Sequence, residues 1–60
     1  MNTSIILQIQ TFHGYAHETA GIVNGFFDVP EEARACGHEL STRCGADVEI
    51  CGCQLTVWNR

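Results

Sequence analysis

Four cysteines and three histidines are the side chains of this 60-residue chain best suited to zinc, and the cysteines could also exchange a disulfide. Cys44, Cys51 and Cys53 fall within the stretch CGADVEICGC, and Cys36 lies just upstream. A structural zinc site takes four ligands, ordinarily as C-x2-C or similarly tight pairs that let two thiolates reach one ion. The chain offers Cys36-x-His38 and Cys51-x-Cys53 instead. On a helix, Cys36 and His38 point about 200° apart and Cys36 and Cys44 stand about 12 Å apart, so one tetrahedral ion could hardly collect them. A zinc-stabilised module on Cys36, Cys44, Cys51 and Cys53 is therefore an alternative reading, as is a thiol-redox protein. Disulfide geometry excludes Cys36–Cys44 and leaves only bridges between helix and sheet. The expected state is free thiols serving as small apolar core residues, with no metal and no cofactor.

The remaining chemistry is sparse. His13 and His17 have the (i, i+4) spacing of a helical metal pair without an accompanying carboxylate or thiol signature, and read as exposed loop residues. A nucleophilic Cys36 would need a base and a cleft, yet the nearby His38 diverges from it on a helix. No glycine-rich phosphate loop occurs, and so short a chain leaves little room for a substrate pocket. No catalytic residue is assigned, and an enzyme is not expected.

Charge points toward a partner. Seven carboxylates stand against Arg34, Arg43 and Arg60 with no lysine, a net charge of -4. Nucleic-acid affinity is built on clustered Lys and Arg, which this chain lacks, so a basic protein is the expected partner. Asp28, Glu31, Glu32 and Glu39 are its candidate contacts, joined by Asp47 and Glu49 if the helix start and the sheet edge adjoin. Trp58 falls in the polar phase of its strand, with Gln54 and Thr56, and is a candidate anchor for that partner.

The elements must position these groups. Hydrophobic content of 45% is that of a globular chain. No segment approaches the roughly 20 apolar residues of a membrane span, and the start lacks a basic signal-peptide region, so a cytoplasmic protein without membrane contact is expected. Ser4 to Phe12 alternates Ile5, Leu7 and Ile9 with Gln8 and Gln10 and reads as a strand. Residues 13–29 fit either a helix weakened by Gly21 and Gly25 or a second strand with a turn or bulge at Asn24-Gly25; the strand is preferred. The helix signals that follow are strong: Asp28 as N-cap, Pro30, Glu31 and Glu32 in the first turn, and Gly45 as the stop, with Ala33, Cys36, Gly37, Leu40 and Cys44 as the buried stripe. From Asp47 onward the alternation changes phase, which places a turn or bulge at Gly52 between strands 47–51 and 53–58.

The expected architecture is α+β: one domain over residues 1–60, a small antiparallel sheet in the order β-β-α-β-β with one helix on one face, and no internal repeat. Ile6, Phe12 and Trp58 then share the outer sheet face as the interface of a homodimer, which a chain this small would use for added stability. The functional expectation is a small non-enzymatic protein-binding module. Its specific form is an acidic inhibitor, of a bacteriophage-encoded anti-defence type, that sets carboxylates where phosphates would go on a nucleic-acid-binding host protein.

Overall fold

The computed structural model describes residues 2–58, in the order α1 (Asn2–Thr11), β1 (Tyr15–Thr19), β2 (Ile22–Phe26), α2 (Pro30–Cys44), β3 (Asp47–Cys51) and β4 (Gln54–Trp58). The four strands form one antiparallel sheet in the order β1-β2-β4-β3. Both helices lie on the same face of it, α1 over the β1–β2 hairpin and α2 over β3 and β4. The α+β class with a small antiparallel sheet and a helix packed on it stands. The element order differs: the chain begins with a helix.

Segment 2–11 is helical because Ile5 and Ile9 are four residues apart as well as in alternating phase, and both are buried in the core. Leu7, which a strand would place beside them, is 57% exposed on the far side of α1. Thr11 Oγ1 donates to the Leu7 carbonyl at 2.9 Å, and the helix closes at His13, whose φ of 65° is left-handed. The Gly14 N–H then donates to the Ile9 carbonyl at 2.9 Å. A Cβ on Gly14 would lie 2.5 Å from Phe27 Cε2 and 2.8 Å from Ile9 Cγ2, so only glycine lets the chain leave α1 this close to the core.

Residues 13–29 are extended, as preferred, but as a hairpin. The turn is at Ala20-Gly21, with φ values of 53° and 81°, the sign pattern of a type I′ connection. Asn24-Gly25 is the middle of β2, not a turn. Gly52, with φ of 60°, opens the two-residue turn between β3 and β4 and resets the phase there.

In α2, Pro30 occupies the first turn, Gly45 the left-handed C-terminal position (φ 64°), and the Gly45 N–H donates to the Leu40 carbonyl. The N-cap is Val29 without a side-chain cap bond, so Asp28 does not fill that role. Ala33, Cys36, Gly37 and Leu40 are buried, whereas Cys44, in the last turn of α2, is exposed. The core joins Ile5 and Ile9 of α1, these α2 residues, Val23, Phe27, Leu55 and Val57.

The elements do repeat, although no residue does. An offset of 32 residues carries the pair Tyr15↔Phe26 onto Asp47↔Trp58, and the left-handed position His13 onto Gly45. Two α-β-β units thus face each other across β2 and β4, related by a pseudo-twofold axis normal to the sheet that passes between Asn24 and Thr56. Between 13–26 and 45–58 not one aligned residue is identical, so no repeat is visible in the sequence.

Candidate functional site

With both helices on one face, the other face of the sheet carries no further element among the described residues. Leu55, Val57 and Val23 point into the core, so their strand neighbours Gln54, Thr56, Trp58, Ile22, Asn24 and Phe26 point away from it. The register arranges this open face in three rows across β1-β2-β4-β3: Tyr15–Phe26–Gln54–Cys51, His17–Asn24–Thr56–Glu49, and Thr19–Ile22–Trp58–Asp47. Tyr15 is 68% exposed, Phe26 45% and Trp58 37%, and Ile22 is half-buried between its neighbours.

The centre of the face is polar and fixed. Asn24 Oδ1 accepts from Thr56 Oγ1 at 3.1 Å and from Gln54 Nε2 at 3.5 Å, across the junction of the two α-β-β units. That arrangement orients the Asn24 carbonyl within the sheet and leaves its amide nitrogen as the donor available to a docking surface. Among the described residues no Arg or Lys stands on this face: Arg34 and Arg43 belong to α2, and Arg60 lies outside the described residues. Asp47 and Glu49 stand along its β3 edge and His17 on its β1 edge.

The residues singled out from sequence are divided between the two layers. Trp58 is on the open face as expected, with Gln54 and Thr56 beside it. Ile6 and Phe12 are not: Ile6 belongs to α1 and Phe12 follows it directly, both half-buried against the core on the helical side, so the strip Ile6–Phe12–Trp58 does not exist as one surface. The reason is the helical form of α1, which reassigns every side chain of the expected first strand.

The six carboxylates are likewise dispersed. Asp28 and Glu31 are exposed and Glu32 half-buried at the start of α2, whereas Asp47 and Glu49 lie on the opposite layer. Glu39 receives Arg43 Nε at 2.8 Å, and Glu31 has Arg34 at 3.8 Å, so two of the expected partner contacts are already paired along their own helix.

All four cysteines are free. Cys36 is fully buried; burial, with a smaller contribution from the Glu39 carboxylate, raises its thiol from 9.0 to about 11. Cys53 is half-buried in the hairpin turn with Sγ 3.9 Å from the Asp28 carbonyl, Cys51 is exposed at a corner of the open face, and Cys44 is exposed at the end of α2. Among the described residues no three of His, Cys, Asp and Glu converge as a metal-holding group. His13 caps α1 while His17 is mid-strand, so their (i, i+4) spacing is not that of a helical pair. Among the described residues no helix is long and apolar enough to cross a membrane.

Sequence reasoning missed Tyr15, Ile22 and Phe26 as members of the face that Trp58 belongs to. The signal for Ile22 and Phe26 was the alternation of Ile22, Asn24 and Phe26 against Val23 and Phe27, obscured by reading Asn24-Gly25 as a turn or bulge. No family model, curated protein or solved structure matches the chain.

Proposed function

We propose that this chain is a small non-enzymatic protein-binding module that docks through the helix-free face of its sheet. The observation that carries the reading is that face itself: Tyr15, Phe26 and Trp58 exposed around a hydrogen-bonded Asn24–Thr56 centre. Exposed aromatic residues rimmed by polar groups are the usual composition of interface cores and anchors. A protein surface suits it better than a phosphate backbone, because its fixed charges, Asp47 and Glu49, are negative and the whole chain carries -4. A reducing, cytoplasmic setting belongs to the same proposal and is supported by the four free thiols.

In its heterologous form the module is an acidic inhibitor, and its target a basic host protein of the nucleic-acid-binding kind. The acidic edge of β3 then meets the target's basic side chains while Trp58 and Phe26 fill its apolar surface.

Two variants test where docking occurs. F26S/W58S removes the aromatic centre of the open face, and E31K/E32K reverses the charge at the start of α2. Proteins retained by the wild-type chain and by E31K/E32K but lost by F26S/W58S support the open face. Retention lost only with E31K/E32K moves the site to the helical layer and overturns the reading. The sole tryptophan, Trp58, supplies a direct readout, since its emission shifts to shorter wavelength when the face is covered.

A further inference from the structure

We propose that one occupant of the open face is a second copy of this chain, related by a twofold axis parallel to the strands. The inference rests on the docking reading above and names the partner for that surface.

The argument is the order of residues in each row. A face laid on its own copy can be turned about an axis parallel to the strands or about one across them. Turning about the strand direction reverses each row and keeps it opposite itself. The central row His17–Asn24–Thr56–Glu49 then meets its reverse, so His17 of each chain faces Glu49 of the partner subunit, and an N–H donor meets a carboxylate twice. In the same row each Asn24 faces Thr56 of the partner subunit, which gives its available amide nitrogen a hydroxyl to donate to. In the third row Ile22 lies over Trp58 of the partner subunit, again twice, and in the first row Phe26 lies over the amide stem of Gln54 of the partner subunit. Turning about the other axis sets Glu49 on Glu49 of the partner subunit and leaves Asn24 opposite its own copy, a like-charge arrangement with donors and acceptors mismatched.

The pseudo-twofold axis normal to the sheet makes this pattern informative. It relates His17 to Glu49 and Asn24 to Thr56, so in the central row the residues that are equivalent in the two α-β-β units are the ones the in-plane axis sets face to face. The self-complementarity of the central row under one in-plane twofold follows from that relation. The face spans four strands about 4.8 Å apart and five residues of about 3.4 Å rise, roughly 19 by 17 Å. An interface of that extent is smaller than those of stable complexes, so the dimer is weak and transient, forming in the micromolar to millimolar range, and remains open to exchange with another partner.

Sedimentation equilibrium across that range, with Trp58 emission recorded on the same samples, tests the assignment in three proteins. The wild-type chain is expected to self-associate with a blue shift of its emission. H17E sets two carboxylates against two others and is expected to weaken association about tenfold. H17E/E49K restores an opposite-charge contact at both places in the proposed orientation, and is expected to return within about threefold of wild type. In the alternative orientation the double variant sets like charges together, so failure of the double variant to recover overturns the proposed axis. A wild-type chain that stays monomeric into the millimolar range overturns the second copy altogether. That result leaves the docking reading standing if heterologous capture still falls with F26S/W58S, and the two fail together only if capture is also unchanged.

Discussion

Cys36 shows how one residue type carries different physics at different places in the same chain. Its side chain is fully buried between α2 and the sheet, while Cys44 and Cys51 are exposed, so alkylation of the native protein should mark the latter two first and Cys36 only on unfolding, as read by peptide mass spectrometry. The thiol that ionises near 9.0 when unfolded ionises at about 11 when folded, so above pH 9 the unfolded chain has given up a proton that the folded chain still holds. Stability is therefore complete below about pH 9 and declines as pH rises toward 11, by at most about 3 kcal/mol from this group. C36A should cost about 1 kcal/mol at neutral pH through the cavity it leaves, and should flatten the alkaline decline relative to wild type. A C36A chain whose stability falls as steeply as wild type between pH 9 and 11 would refute the assignment.

At the scale of elements, the contacts made by two glycines explain how closely each helix approaches the sheet. A Cβ on Gly14 meets the buried Phe27 ring and Ile9, neither of which has room to withdraw. On Gly37 it meets Ile50 Cδ1 at 2.8 Å and Leu55 Cδ1 at 3.1 Å, and Ile50 belongs to the edge strand β3 with a side chain free to turn toward water. G14A should therefore destabilise by about 1–3 kcal/mol. G37A should fall within about 1 kcal/mol of wild type, since its crowding is offset by a better helix propensity. Equal losses in chemical denaturation would refute this difference. The same elements mark what could be read in advance. Helix α2 was legible because Pro30, the Glu31-Glu32 pair and Gly45 each act through local backbone and dipole effects. The turn at Gly52 was legible because the phase of Val48 and Ile50 conflicts with that of Leu55 and Val57. Helix α1 was not legible, because Ile5 and Ile9 satisfy both periods and only Leu7 separates them, and its exposure is decided by the sheet that α1 covers. The polar phase of Gln54 and Thr56 places Trp58 on its face, but the rest of that face is hidden when residues 13–29 are read as one strand with a turn or bulge at Asn24-Gly25, because the hairpin turn is at Ala20-Gly21.

For the whole molecule, the pseudo-twofold relation between the α-β-β units predicts a change of connectivity that the fold should survive. If α1-β1-β2 and α2-β3-β4 are equivalent halves, the path from the end of β4 to the start of α1 corresponds to the existing path from β2 to α2, which takes only Phe27 to Val29. Helix α1 is 10 residues against 15 for α2, which lengthens the gap by about 7.5 Å. A flexible linker of about ten residues covers both distances. A circular permutant opened between Asp28 and Val29 and joined by such a linker should keep the far-ultraviolet spectrum and unfold within about 2 kcal/mol of the parent chain. The cut lies among exposed residues and spares every strand pair, while the Phe27 N–H that donates to the Cys53 carbonyl stays on the β2 side of it. The open face, built wholly from strand residues, is untouched by the permutation, so the permutant should also self-associate as the parent is proposed to do. A permutant that folds with equal stability but never self-associates would show that the face depends on something besides the register of these four strands. One that fails to fold at all would show that the two halves are equivalent in outline only.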